Sequence, residues 1–429
     1  MHRLAGTLSV AGLLCSAALL LGPPASAQWD LVIDIEAPPL NYLATKDNNR
    51  VSRLVEQLQS KELSLEHTRE HGYLPSLLAA LDIPQSSQVL VFSKTSLQVQ
   101  HISRRNPRAI YFNDDTYVAW VRGSSLLEIS TADPKLGVAF YTVNMRPRTV
   151  KVERENYDCL GCHATSMTQG VPGHTVRSVY PDYNGKVNFR EKSFLTDHSS
   201  PFSERWGGWY VTGLHGDMEH LGNAVLRGGK LDTSDNSNWM SLQREFDVDS
   251  YLSPHSDIVA LMVLEHQTQM HNTMTKADFT VRKWLYERAA DAVSEEAEQE
   301  WPIQLAQIAK EVVDQMLYCD EAPLTSEVKG SADFADEFSS RGPVDRSGRS
   351  LRQFDLQTRM FKYPCSYLIY SDAFDSLQTP LRDEIDRQLH AVLTGENQAP
   401  EYAHLDATTR SEILSILLAT KPSFASTFQ

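Results

Sequence analysis

The chain has 429 residues, of which 41% are hydrophobic, 22% charged and 9% aromatic, which excludes low-complexity and fibrous scaffolds and gives length for two or three domains. Its 40 basic and 55 acidic side chains leave a net charge of −15. That excludes a non-specific nucleic-acid binder, because neutralising phosphates takes clustered Lys and Arg.

The first element in chain order is a targeting segment. Met1, His2 and Arg3 form a cationic start, residues 8–21 an apolar run, Gly22-Pro23-Pro24 a breaker and Ala25-Ser26-Ala27 a small-residue cleavage pattern, which predicts a secretory signal peptide over 1–27. The run is shorter than the ~20 residues a spanning helix needs. No later stretch is apolar enough either, so the mature chain is expected in the periplasm with no transmembrane segment. Cys15 follows Leu13-Leu14 instead of a small residue, which argues against a lipoprotein signal.

Residues 47–64, with Val51, Leu54, Val55 and Leu58 at helical spacing, predict a helix, and 74–81 a second. The period then changes. Residues 88–95, 109–121, 125–131 and 136–143 are rich in Val, Ile, Tyr and Phe between Asn-Pro, Arg-Gly and Asp-Pro signals, and read as short antiparallel strands.

Immediately after them stands Asp158-Cys159-Leu160-Gly161-Cys162-His163, a C-x-x-C-H sequence and the attachment pattern of c-type haem. If Asp158 caps a short helix, the two thiols lie three residues apart and Cys159 and His163 four apart, so all three project from one face. The thiols are then placed to form thioethers with the haem vinyl groups, and His163 to ligate the iron. Three other readings compete. A thioredoxin-like pair calls for a preceding strand, whereas 151–157 is charged and polar; a zinc site wants a second close pair of ligands, and Cys319 and Cys365 are 46 residues apart; a Cys159–Cys162 disulfide leaves His163 unexplained. Cys319 and Cys365 either pair with each other or remain buried free thiols.

Beyond the motif, 175–180 and 187–194 flank Asn184-Gly185 as a hairpin. Trp206-Gly207-Gly208-Trp209 opens an aromatic strand with close backbone approach at its glycines, either a wall of the haem pocket or ordinary packing. Helices are expected over 254–274, 277–292 and 301–318, a linker or long loop over 326–350, and a helical C-terminal region over 351–429 with helices at 354–361, 379–393 and 409–419. The expected fold class is α+β, divided as signal peptide 1–27, N-terminal helical segment 28–84, haem-binding α+β core 85–325, linker 326–350 and C-terminal region 351–429.

The block from Tyr111-Phe112-Asn113-Asp114-Asp115 through Trp206-Gly207-Gly208-Trp209 to Tyr363-Pro364-Cys365-Ser366-Tyr367-Leu368 resembles large exported bacterial proteins that carry a cytochrome c domain. The resemblance implies single-haem binding over most of the mature chain and brings no assigned reaction.

A proximal histidine leaves a sixth position on the iron, whose occupant decides between pure electron transfer and chemistry. The histidines available are His174, His198, His215, His220, His255, His266 and His271, with Met145, Met167, Met218, Met262 and Met270 as alternatives; Met167 shares the His163 side of the ring, and the leading candidates are His266, His215, His198, His220 and Met218. On the helix from residue 254, Glu265 lies within an apolar face with His266 at its border, so the two are a distal ligand, an acid/base pair or a buried pair between helices; His271 points away and reads as solvated. His215-Gly216-Asp217-Met218-Glu219-His220 is a second possible metal site or a hydrogen-bonded loop near the haem edge, with Arg205 facing a propionate. The expected function is covalent haem binding and one-electron transfer with a redox partner protein. The alternative is a haem enzyme or sensor with an open distal site for a small ligand such as peroxide or oxygen.

Overall fold

A computed structural model describes residues 33–428 except 149 and 189. The signal peptide expected over 1–27 lies outside the described residues. The fold class is α+β as expected, with an antiparallel sheet and a helical C-terminal region.

Helices α1 (Arg50–Ser60) and α2 (Leu74–Ala80) lead into β1 (Val89–Val91), β2 (Arg108–Phe112), β3 (Thr116–Trp120), β4 (Leu126–Asp133), β5 (Gly137–Asn144) and β6 (Val152–Glu155). The stretch 109–121 is two strands, because Asn113 accepts from the backbone of Asp115 and Thr116 and so turns the chain between them. With β7 (Arg177–Ser178) and β8 (Phe194–Leu195) forming a separate pair, β9 (Trp209–Tyr210) closes the main sheet in the order β6-β5-β4-β3-β2-β1-β9. The alternation in β4 and β5 assigns the faces. Leu127, Ile129, Tyr141 and Val143 join Tyr42, Val51, Leu54 and Leu74 in one core. The opposite face, with Phe112, Tyr117 and Trp209, packs against the long helix α4 (Ile258–Ala289).

Charged and polar character does not keep 151–157 out of the sheet. β6 is an edge strand in which Arg154 crosses to the first core, donating to the carbonyls of Tyr42 and Thr45, while Thr142 on β5 donates to Glu155. Charges on an edge strand also block pairing with another chain.

The helices expected over 254–274 and 277–292 are one helix of 32 residues, about 48 Å long at 1.5 Å per residue. Its start is fixed by Asp257, whose carboxylate accepts from Val259, Ala260, Ser331 and Ala332. Helix α5 (Glu295–Met316) packs on it, followed by α6 (Phe334–Ser340), α7 (Asp372–Asp375), α8 (Thr379–Leu393) and α9 (Ala407–Thr420). The stretch 326–350, expected as a linker or loop, contains α6, whose Phe334 and Phe338 are buried in the main core, and a strand Lys329–Gly330 paired with Gly213–Leu214. Residues 354–361 form no helix. Phe354 and Phe361 bridge across a tight turn and stack with ring centroids 4.9 Å apart, so helical spacing there reflected two aromatics meeting across a reversal.

Candidate functional site

The C-x-x-C-H segment forms the one-turn helix α3 (Leu160–His163), with Cys159 in helical conformation at its N-cap position. Asp158 does not cap it; the backbone closes the turn alone, with the N–H groups of Cys162 and His163 donating to the Cys159 carbonyl at 3.1 and 2.9 Å. Leu160 points inward to the first core, while Gly161 and Cys162 are exposed and Cys159 is half-buried. The four cysteines among the described residues are free thiols, including the buried Cys319 and Cys365, which do not pair with each other.

The loop after the turn fixes His163. Thr165 and Thr168 cap a short 3-10 turn reciprocally, Gln169 takes a left-handed conformation at φ 58°, and the chain returns so that Gly173 N–H donates to the His163 carbonyl at 2.8 Å. The His163 Nδ1 in turn lies 2.9 Å from the Gly173 carbonyl. A carbonyl only accepts, so Nδ1 carries the proton and Nε2 is the bare nitrogen. Burial keeps the ring below its ordinary pKa, hence neutral. Phe140 on β5 packs against it with centroids 5.1 Å apart.

The return loop is clamped to α4. Asn272 accepts from His174 N–H at 2.9 Å and donates to its carbonyl at 2.7 Å, and Gln169 reaches Thr273 at 3.1 Å. There is no room at Gly173, where an added Cβ meets Asn272 Oδ1 at 2.2 Å. Gly173→Ala is therefore expected to push the loop from α4, costing on the order of 1–3 kcal/mol as buried polar groups lose partners. A thermal unfolding scan checks this. An unchanged Tm would show that the loop has slack the packing does not suggest.

The thiols sit in an acidic setting. Burial raises Cys159 to about 12, and Glu128, Glu155 and Asp158 add to the effect. Reactive dithiols are activated in the opposite sense, by cations or a helix N-terminus. The strand β6 does precede the motif, but it is antiparallel to its neighbour β5 and leads into a single turn, so the βαβ context of a thioredoxin-like pair is missing.

None of the five side chains named for the sixth iron position has a hydrogen bond or ring contact with this turn among the described residues. They meet elsewhere, the histidines in two pairs. His198 and His266 face each other through their Nδ1 atoms at 3.1 Å; His266 Nε2 is 2.8 Å from Ser366 Oγ and His198 Nε2 3.2 Å from the Cys319 carbonyl. Since His198 must donate to that carbonyl, its Nδ1 accepts from His266, and Ser366 donates to His266. The chain is complete and buried, and desolvation pushes both rings well below their ordinary values. Glu265, 0% exposed, pairs with Arg205 at 3.1 Å. The third of the readings for Glu265 and His266, a buried structural network, is the one the geometry supports. Arg205 also donates to the carbonyls of His198 and Ser200, so it is committed inside the protein and does not face a propionate. His271, expected in solvent, is 2% exposed with Nε2 2.8 Å from the Asp114 carbonyl, because the loops around the sheet cover α4 on that side too.

The other pair is His215 and His220, with ring centroids 4.7 Å apart and Met218 buried beside them. Burial and the neighbouring His215 lower His220 to about 3. Among the described residues no group of three or more His, Cys, Asp or Glu side chains is placed to hold a metal ion. Trp206 and Trp209 are core residues, and the glycines between them do allow close approach: a Cβ at Gly207 meets the Val179 carbonyl at 2.4 Å.

Sequence reading missed Gly173, Asn272 and Phe140 as the residues that hold His163. The partner of Nδ1 is a backbone carbonyl, which has no side-chain signature, and Gly170 and Pro172-Gly173 are the local marks of a turn there. Compared with known proteins, the chain matches no protein family, no curated protein and no solved structure.

Proposed function

We propose that this chain is an exported, single-haem c-type cytochrome that transfers electrons to or from a redox partner protein. Cys159 and Cys162 would hold the haem as thioethers and His163 Nε2 would bind its iron. The observation that carries the reading is the His163 Nδ1 to Gly173 carbonyl bond at 2.9 Å, which orients a neutral imidazole and leaves one bare nitrogen beside two free thiols. When bound, the group supplies reversible one-electron chemistry. The polypeptide contributes a ligand of fixed tautomer, an apolar wall at Phe140, and a loop tied to α4 so that the ligand does not swing away.

A second reading is favoured by one specific observation: among the described residues none of the five side chains considered for the sixth position has a hydrogen bond or ring contact with the Cys159–His163 turn, and His198 and His266 are bound to each other. That supports an open distal site and a haem enzyme or sensor acting on a small ligand. Absorption spectra decide both questions. The alkaline pyridine spectrum of the purified protein is expected to show haem c, and its absence overturns the main reading. A high-spin ferric spectrum with rapid carbon monoxide binding to the ferrous protein favours the open site; a low-spin spectrum indifferent to carbon monoxide leaves the electron carrier.

A further inference from the structure

Among the buried arginines, Arg352 is short of partners. Arg205 and Arg410 make four hydrogen bonds each, to backbone carbonyls and to the Glu265 carboxylate. Arg352 is 5% exposed, yet of its nitrogens only Nη2 is bonded, to the Asp114 carboxylate, while Nε and Nη1 are buried with no acceptor. Unmet donors on a buried cation are costly, which marks this guanidinium as set for an acceptor that the chain does not supply.

Its surroundings fix it in place. The Arg352 Cζ stands 4.6 Å from the Phe338 ring centre and 4.5 Å from that of Tyr367, a cation–π seat for the guanidinium plane. The left-handed turn at Gly342, φ +81°, closes over Nε, where an added Cβ would stand 2.8 Å away. Arg352 also lines a cavity of about 20 Å³, room for one or two water-sized groups. Buried Phe112, Phe334 and Phe338 form apolar walls, and half-buried Pro84, Asp114 and Arg341 form the rim. The amide N–H groups of Asn113 and Gln267, which line it too, are spent on the carbonyls of Leu81, Asp82 and Asn113 and on the Tyr117 hydroxyl. The free donors of the cavity are therefore those of Arg352.

A planar cationic donor set beside aromatic walls is selective. A carboxylate matches a guanidinium in plane and charge, and the rings favour a short apolar tail over the hydration shell of an inorganic anion. Asp114 shows the mode, since its carboxylate reaches from the rim to Nη2. That charge, with Glu337 paired to Arg341, opposes a dianion such as phosphate. We propose that this cavity binds a short-chain monocarboxylate, its head group on Arg352 and its apolar part against Phe112, Phe334 and Phe338. The site uses no residue of the haem turn, so failure of the haem reading leaves it unchanged.

The test uses the purified full chain and acetate as probe, with acetamide as its neutral twin and chloride at equal ionic strength as the inorganic anion. Saturation-transfer NMR is expected to show saturable binding of acetate, displaced by neither control. Arg352→Gln is expected to bind acetate about tenfold more weakly or not at all. Asp114→Asn is expected to bind it about threefold more tightly, because the internal competitor has lost its charge. No acetate bound by the wild type, equal binding of acetamide, or affinity unchanged by Arg352→Gln each overturns the proposal; a carboxylate sitting on haem iron would give the last of these. Should Arg352→Gln fail to fold by circular dichroism, Asp114→Asn decides, since that side chain is 42% exposed and its amide oxygen still accepts from Nη2. Affinity equal to or below that of the wild type then overturns the site.

Discussion

The Cys159→Ala, Cys162→Ala double variant is expected to leave the export pathway with the mass of its polypeptide alone, while the wild type weighs one haem more. On the proposed thioether attachment the effect is all or none, because such a bond is covalent and needs the thiols themselves. Cys159 is half-buried beside Glu128, Glu155 and Asp158, and Cys162 is exposed, so neither has an internal role that alanine would abolish. The variant should therefore fold, and intact-mass spectrometry reads the outcome. His163→Ala separates attachment from ligation: the mass of one haem is retained and the axial ligand is lost, seen as a change of spin state. Haem surviving denaturation in the double cysteine variant would contradict the attachment.

Arg205→Ala is expected to destabilise the protein by about 3–5 kcal/mol at pH 8, because Glu265 in the core must then either stay charged without its partner or take up a proton that the solvent at that pH would not leave on it. Glu265 is fully buried, and desolvation pushes its carboxyl up from 4.5 to about 7 even with Arg205 drawing it back. The folded-state value thus lies above the unfolded one. Over that interval the folded state keeps a proton that the unfolded chain releases, so stability falls as pH rises from about 4.5 to about 7 and levels off beyond. Removing the guanidinium holds the proton more tightly still. The deficit of the variant is then smaller at pH 5, where Glu265 is protonated in both proteins, than at pH 8. Chemical denaturation at the two pH values measures it. An equal deficit at both would show that Arg205 acts through its bonds to the His198 and Ser200 carbonyls and not through charge. Adding Glu265→Gln to the variant should recover part of the loss at pH 8 only.

The cysteine variant rests on a spacing of three and four residues, legible in the sequence because the helical period puts such side chains on one face of a turn. The arginine variant rests on Arg205 and Glu265, 60 positions apart. Sequence reading recognised Glu265 as a carboxylate in need of a partner but had no means of naming it, and it aimed Arg205 at a propionate instead. His198 and His266 are 68 positions apart and were separate candidates for one iron, yet they are partners of each other.

Strand β6 shows the same limit from another side. Its charges argued against a strand, but an edge position between β5 and the core around Tyr42 gives Arg154 and Glu155 partners on both faces. Likewise the period of residues 254–292 marked helix correctly and broke it in two, since α4 is enclosed on most sides through its first five turns and shows no single apolar stripe.

By itself the sequence determined the class of fold, the turn that brings Cys159, Cys162 and His163 together, and the tight approach at Gly207 and Gly208. These depend on local dihedral preferences, on the two periodicities of helix and strand, and on residues lacking a side chain. Only the tertiary structure decided which nitrogen of His163 is bare and which histidines pair. Those outcomes depend on backbone carbonyls and on meetings between distant segments, where the cost of a buried unpaired group is settled by whatever the fold brings alongside it.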